Sequence, residues 1–144
     1  MSIDVKPEVV IGRPRAEVAA FMFDPSNDAI WTGGVVESKP LQPGRLVKGA
    51  LVDRVSKFIG RTFGYRYVVI DAAGDDFVVM KVEQPFPMQI RYQLDEAPGG
   101  TRASIRAQGD ATGFFKMAAP LMAIMVRRNI TNDLETLKAY LEGR

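Results

Sequence analysis

The pattern of hydrophobic and polar positions changes near the end of the chain, where a long apolar stretch becomes amphipathic. Residues 114–126 read FFKMAAPLMAIMV, and residues 127–142 read RRNITNDLETLKAYLE. Apolar residues recur there at helical spacing, which predicts a helix from Phe114 to Leu141 with one broad apolar face. Pro120 lacks a backbone donor, so we expect a kink or a late helix start there. Such a helix needs a large apolar surface to pack against.

The rest of the chain shows the two-residue alternation that is typical of β-strands. The clearest example is residues 88–94, since every second residue from Met88 to Leu94 is apolar, which predicts one buried and one solvated face. Strands are predicted over residues 3–11, 35–37, 46–57, 61–71, 77–83, 88–94 and 101–112. Pro7 places the first strand at a sheet edge or a bulge. Strands of this length indicate a strongly curved antiparallel sheet.

Two short helices are predicted between the first strand and the others. Pro14 suits the first helical position, because its missing N–H would be unpaired there anyway, and apolar residues follow at helical spacing as far as Phe23. Residues 24–27 break this helix, and a second helical turn is predicted from Asp28 to Trp31. We expect Trp31, the only tryptophan, to anchor this pair of helices to the sheet.

Composition limits the class of protein. The chain has 144 residues, 47% hydrophobic and 25% charged, which fits one soluble globular domain over residues 1–144. The net charge of +2 comes from 19 basic and 17 acidic residues scattered along the chain, so nucleic-acid binding is not expected. The longest apolar run falls short of the roughly 18 residues of a membrane span, so no stable membrane insertion is expected.

Neither cysteine nor histidine occurs in the sequence. Their absence excludes disulfides, thiolate nucleophiles, Ser-His-Asp and Cys-His catalysis, and the usual zinc sites. No metal and no cofactor are therefore expected. No signal peptide is predicted from the N-terminal sequence, and together with the lack of cysteine this leads us to expect a cytoplasmic protein.

The order of strand, two short helices, six strands and a long final helix resembles the START-like superfamily, also called SRPBCC. Within it, the chain is most similar to bacterial polyketide cyclase/dehydrase-type proteins. The matching segments are VIGRP at residues 10–14, DPSN at 24–27, FIGR at 58–61 and LETLKAYLE at 134–142. The resemblance implies an α+β helix-grip fold, in which a curved antiparallel sheet wraps around the C-terminal helix and leaves a cavity for a hydrophobic small molecule.

Candidate ligand-binding residues follow from the strand phases, the helix stripe and the implied cavity. Thioethers adapt to varied apolar shapes, and a tyrosine hydroxyl can orient a ligand oxygen, although each such side chain could instead simply fill the core. The candidates are Met80, Met88, Ile90, Tyr92, Ile105, Phe115, Met117, Leu121, Met122 and Met125. No catalytic residue is assigned.

Two questions stay open at the level of sequence. The inward face of the strand over residues 61–71 carries either Phe63, Tyr65, Tyr67 and Val69 or Gly64, Arg66, Val68 and Ile70, and we expect at least one of the first two tyrosines at the surface. Mid-strand charges could form an inward Arg–Asp pair that binds a ligand oxygen, but a solvated face is the favoured interpretation. These charges are Asp53, Arg54, Arg66 and Glu83.

The sequence leaves three functions open. The first is binding of a lipid, polyketide or similar apolar molecule. The second is a cyclase- or dehydratase-like enzyme that uses the same cavity without histidine or cysteine. The third is a protein-interaction role, which predicts a filled interior and an exposed apolar patch on the last helix. Whether the protein is a monomer or a homodimer is not predicted.

Overall fold

Pro7 divides the first predicted strand into β1 (Ile3–Val5) and β2 (Glu8–Ile11) in the computed structural model, which describes residues 3–144. Both pair antiparallel with the last strand, β8 (Gly100–Gly109). Proline cannot donate to a sheet ladder, so the break falls at this residue. Residues 1 and 2 of the predicted domain lie outside the described residues.

All the strands belong to one antiparallel sheet. Between β2 and β8 the chain forms β3 (Val35–Pro40), β4 (Leu51–Phe58), β5 (Arg61–Ala73), β6 (Phe77–Val82) and β7 (Met88–Ala97). The spatial order is β1-β8-β7-β6-β5-β4-β3, and β2 pairs with β8 as well. Register shifts interrupt the β3–β4 and β5–β6 pairings, and such bulges bend strands. The prediction of a curved antiparallel sheet is confirmed.

Several strand boundaries differ from the prediction, among them the start of β4 and the end of β8. β4 begins at Leu51 and not at Leu46, because Gly49 adopts a left-handed conformation with φ of 91° that a continuous strand cannot contain. Leu46 is buried all the same, and its N–H donates to the carbonyl of Phe23 at 2.9 Å. β8 ends at Gly109, so residues 110–112 leave the sheet.

Both predicted helices occur, as α1 (Arg15–Met22) and α2 (Asp28–Trp31), separated by a 3-10 turn over Pro25–Asn27. Pro14 is the N-cap of α1 and not its first helical residue as predicted. Trp31 is buried in the core, as expected. Asp24 ends the first helical segment and accepts a hydrogen bond from the backbone N–H of Ser26 at 3.0 Å, which begins the turn.

The C-terminal helix starts later than Phe114. A separate short helix, α3 (Thr112–Phe115), ends at Lys116, whose φ of 53° is left-handed, and the long helix α4 (Ala119–Glu142) follows. Pro120 lies in the first turn of α4, where a missing N–H breaks no hydrogen bond. The prediction of a late start is confirmed, and the prediction of a helix from Phe114 is wrong.

α4 packs against the part of the sheet that contains β1, β2 and β8, and a gap remains between α4 and the other part of the sheet. Its backbone approaches β1, β2, β8 and α2 most closely. Its buried apolar residues are Met122, Val126, Ile130, Leu134, Leu137 and Leu141. The sheet and the long helix together form the predicted helix-grip arrangement.

Arg13 fixes the C-terminal end of α4. Its guanidinium donates to the carbonyl oxygens of Leu141 at 2.9 Å and Arg144 at 2.8 Å, and the backbone N–H of Gly12 donates to the Glu142 carboxylate at 2.7 Å. The last carbonyls of a helix lack partners within the helix, so the turn between β2 and α1 satisfies them. The second half of α4 is thereby held in place beside the sheet.

Candidate ligand-binding cavity

A cavity of about 200 Å³ lies between the sheet and α4. Strand β5 supplies three aromatic side chains to its wall, Phe63, Tyr65 and Tyr67, while Gly64 and Arg66 are exposed on the opposite face. This decides the phase of β5 that the sequence left open. The expectation that Tyr65 or Tyr67 lies at the surface is wrong, because both line the cavity.

Seven of the ten side chains predicted to bind a ligand lie on the cavity wall. They are Met80, Met88, Ile90, Tyr92, Ile105, Phe115 and Met122. The strand residues point inward because the two-residue period of β6, β7 and β8 holds through the cavity region. Phe115 reaches the cavity from α3.

Met117, Leu121 and Met125 do not line the cavity. Met117 lies in the connection between α3 and α4, and the side chain of Leu121 is 49% exposed. The α4 residues on the wall are Met122, Val126, Asn129, Ile130 and Asp133. Positions three and four residues apart share a helix face, so Leu121, one residue from Met122, falls outside this face. Met125, three residues after Met122, is half-buried and still does not line the cavity.

Aromatic rings close one end of the cavity. We call Phe58, Phe63, Phe86, Phe114 and Phe115 the phenylalanine cluster. The ring of Phe63 lies 5.6 Å from that of Phe86 and 5.8 Å from that of Phe115, between ring centroids. The guanidinium of Arg61 stacks over Phe114 at 3.8 Å from its centroid. These rings come from β4, β5, the connection after β6 and α3, so no periodic pattern in the sequence could bring them together.

Another wall residue, Arg54, belongs to a buried ion pair. Arg54 on β4 points inward, and its Nη2 and Nε atoms lie 2.6 and 3.1 Å from Oδ2 of Asp28 on α2. The side chains are 11% and 1% exposed, respectively. Oδ2 of Asp28 also accepts from the Ser38 hydroxyl at 3.0 Å. The preference for a solvated Arg54 is therefore wrong, and its inward alternative is right.

The other mid-strand charges lie outside, as expected. Arg66 and Asp53 pair with each other across β4 and β5 at 2.7 and 3.0 Å, and both are about half exposed. Glu83 is exposed beside Lys81. Asp28 was missed because it begins a four-residue helix, which is too short to show a periodic pattern.

Burial changes the ionisation of groups on the wall. Desolvation raises the pKa of Asp133 to about 6, although the Gly33 N–H at 2.8 Å and Arg54 act in the other direction. Desolvation also raises the pKa of Tyr92 to about 12 and that of Tyr67 still further. Burial disfavours the charge of Arg54, but Asp28 and the neighbouring Tyr65, Tyr92 and Tyr67 together outweigh this effect and raise its pKa. Arg54 therefore remains charged, and the tyrosines remain neutral.

Two buried polar atoms near this ion pair have no hydrogen-bond partner within residues 3–144: the indole nitrogen of Trp31 and the hydroxyl of Tyr67. Both side chains line the cavity and are 1% exposed. The ring of Tyr67 lies under the Arg54 guanidinium, 4.8 Å from it, and the ring of Trp31 packs edge-on against Tyr92 at 5.6 Å. The Tyr65 hydroxyl, in contrast, bonds to that of Ser56 at 3.0 Å.

Two kinds of feature are missing from the part of the chain that the structure describes. No three acidic, histidine or cysteine side chains in it come together in a way that could bind a metal ion. None of its helices combines the length and the hydropathy that a membrane crossing requires.

Comparison with known proteins identifies relatives of this arrangement. The family described as "Polyketide cyclase / dehydrase and lipid transport" has a model that matches residues 2–142. A search of curated proteins found no match.

Solved structures share the fold at low sequence identity. The KanY protein superposes with a TM-score of 0.76 at 23% identity, over 98% of each chain. The protein TTHA0849 from Thermus thermophilus gives 0.79 at 12% identity, over 97% of each chain. The di-domain ARO/CYC StfQ from the steffimycin biosynthetic pathway gives 0.79 at 13% identity, over 99% of this chain and 52% of that one. At these identities the similarity shows the fold.

Proposed function

The chain belongs to the polyketide cyclase / dehydrase and lipid transport family, and from this premise we propose that it binds a hydrophobic small molecule in the cavity between the sheet and α4. The observation that carries the proposal is the cavity itself, a space of about 200 Å³ walled by aromatic and methionine side chains. Burial of apolar ligand surface there would supply about 25 cal/mol per Å², before the costs of ordering.

The volume of the cavity limits the ligand. An apolar cavity of about 150 Å³ accepts benzene, so a cavity of this size suits one ring with a small substituent. Pockets for drug-sized ligands have volumes of roughly 300–1,000 Å³, so a longer lipid or polyketide would need the phenylalanine cluster to move apart. We propose the seven wall residues named above as ligand contacts, together with Phe63, Tyr65 and Tyr67.

Native mass spectrometry tests this proposal. We expect protein purified from its own host, sprayed under non-denaturing conditions, to carry an added mass that is lost on denaturation. A parallel sample, stripped with organic solvent and mixed with acetophenone, should regain a bound mass. The proposal is wrong if neither sample carries a bound small molecule.

A cyclase- or dehydratase-like enzyme is the second candidate, and Asp133 favours it. A buried carboxylate on the cavity wall with a pKa of about 6 is suited to take a proton from a carbon next to a carbonyl. Exchange of the central protons of pentane-2,4-dione into deuterated water, followed by NMR, tests this chemistry. We expect the wild-type protein to catalyse this exchange and Asp133→Asn to abolish the catalysis. If the exchange is no faster with the wild-type protein than without protein, the enzymatic role is excluded.

The remaining expectations accompany the first proposal. We propose that the protein works in the cytoplasm, as a monomer or a homodimer, without nucleic acid. The protein-interaction alternative predicted a filled interior, and the cavity argues against it, although Leu121 and Ile124 on α4 are exposed.

A further inference from the structure

The two unpaired polar groups on the cavity wall are both hydrogen-bond donors. An indole N–H can only donate. The hydroxyl of Tyr67 keeps its proton, because burial raises its pKa. The large majority of buried side-chain polar groups in proteins have a partner, and a buried group without one costs about 1–3 kcal/mol. Trp31 and Tyr67 therefore each lack an acceptor atom, and both side chains line the cavity.

Packing fixes both donors before a ligand arrives. The Arg54 guanidinium holds the ring of Tyr67, and the ring of Tyr92 holds that of Trp31. Side chains that are already immobile lose little entropy on binding, so each hydrogen bond to a ligand contributes more of its energy to affinity.

Charges on the wall argue against an anionic ligand. Asp28 already neutralises Arg54, and Asp133 adds a negative charge at neutral pH. Lys57 also borders the cavity, but its side chain is exposed. A carboxylate that entered would lose its hydration and meet no unpaired buried cation.

Resting on the proposed function, we propose that the ligand is a neutral, ring-sized molecule whose carbonyl or hydroxyl oxygen accepts hydrogen bonds from the indole N–H of Trp31 and the hydroxyl of Tyr67. Its apolar body then extends towards the phenylalanine cluster. The binding site thus has a polar end that recognises an oxygen atom and an apolar end that recognises a ring.

Three probes of equal size separate the contributions. Acetophenone carries an acceptor oxygen, isopropylbenzene has the same shape without it, and benzoate carries a negative charge. We expect the wild-type protein at pH 7.5 to bind acetophenone and isopropylbenzene, and to bind benzoate at least tenfold more weakly than acetophenone. Asp133→Asn should narrow the difference between acetophenone and benzoate.

Tyr67→Phe tests the acceptor site. One lost hydrogen bond should weaken acetophenone binding about tenfold and leave isopropylbenzene binding within about twofold. The ligand-free variant should be at least as stable as the wild type, since only an unpaired hydroxyl is removed. If this hydroxyl stabilised the fold, the variant would be less stable than the wild type. Tyr140→Phe on the surface serves as the matched control and should change neither affinity.

Trp31 can be observed without a mutation, because the chain contains one tryptophan. In a proton–nitrogen NMR spectrum, we expect the indole N–H signal to lie further downfield with acetophenone than with isopropylbenzene. The aromatic rings of the two probes affect the signal alike, but only the oxygen of acetophenone accepts a hydrogen bond.

The outcomes distinguish this inference from the proposed function. If isopropylbenzene and acetophenone bind but Tyr67→Phe weakens both equally, and the indole shifts agree for the two probes, the acceptor site is wrong and the apolar cavity stands. Benzoate that binds as well as acetophenone contradicts the neutral ligand. If none of the probes binds, the proposed function and this inference both fail.

Discussion

Arg54 on the cavity wall forms an ion pair with Asp28, with Nη2 of the arginine 2.6 Å from Oδ2 of the aspartate. The residues are 26 positions apart, so the pair ties α2 to β4. The pair also keeps the positive charge of Arg54 beside the ring of Tyr67. The negative charge of Asp28 cancels the net effect of this positive charge on a ligand. A single interaction thus fixes the helix pair on the sheet and defines the polar end of the cavity.

Asp28→Asn should destabilise the protein by about 3–5 kcal/mol, because it leaves the buried Arg54 charge without its partner. The measurement is the free energy of unfolding from urea denaturation. Asp53→Asn is the control, since it breaks the exposed pair with Arg66 on the outer face, where solvent screens the charges, and we expect little change. Equal losses in the two variants would contradict the assignment of Arg54 to the interior.

Asp133 should make the folded protein less stable as the pH rises from about 4 to about 6. Burial raises its pKa from 3.8 in the unfolded chain to about 6, so the folded state binds the proton more tightly. The loss is on the order of 3 kcal/mol, complete above pH 6 and absent below pH 4.

Asp133→Asn removes this loss. We expect the variant to be more stable than the wild type at pH 7 and similar at pH 4, because an asparagine oxygen can still accept from the Gly33 N–H. Urea denaturation of both proteins across this pH range measures the difference, in which the titration of all other groups cancels. A difference that does not vary with pH would contradict the burial of this carboxylate.

Arg13→Met should lower the free energy of unfolding by about 1–2 kcal/mol, because the carbonyls at the end of α4 lose their charged donor. Hydrogen exchange should show the loss as faster exchange in the last turns of α4. Arg15→Met removes an exposed partner of Asp76 and provides the control. If the two variants exchange alike in α4, the turn between β2 and α1 does not hold the helix end.

Features that repeat along the sequence could be predicted. The two-residue alternation fixed the inward positions of β7 and β8, and the helical period fixed the buried stripe of α4 from Met122 onwards. Pro120 predicted the late helix start, since a proline is tolerated in the first turn of a helix but destabilises the helix at later positions. The resemblance to START-like proteins supplied the connection of these elements into a helix-grip.

Features that depend on contacts between distant segments could not be predicted. Both faces of β5 carry apolar residues, for example Val69 on one and Val68 and Ile70 on the other, so its own pattern does not show which face is buried. The neighbouring strands in the sheet decide this. Asp28 has no local signal, and Arg54 alone looks like a surface charge. Only the fold shows that Asp28 and Arg54 pair, so that each residue compensates the buried charge of the other.

Met122→Trp should fill the cavity and block ligand entry, because Met122 is buried on the wall. Leu121→Trp provides a matched control, since it adds the same side chain one residue away on the exposed face of α4. We expect acetophenone binding, measured by calorimetry, to fall at least tenfold in the first variant and to stay unchanged in the second. Circular dichroism should confirm that both variants are folded. Acetophenone binding that Met122→Trp leaves unchanged would place the ligand elsewhere.

The most direct test of the cavity uses methionine methyl groups as reporters. With carbon-13 methyl-labelled methionine, an NMR titration with acetophenone should shift the signals of Met80, Met88 and Met122, which line the cavity, along one saturable curve. The signals of Met117 and Met125, which lie off the wall, should stay nearly in place. Shifts confined to Met117 and Met125, or no saturable shift at all, would contradict a binding cavity between the sheet and α4.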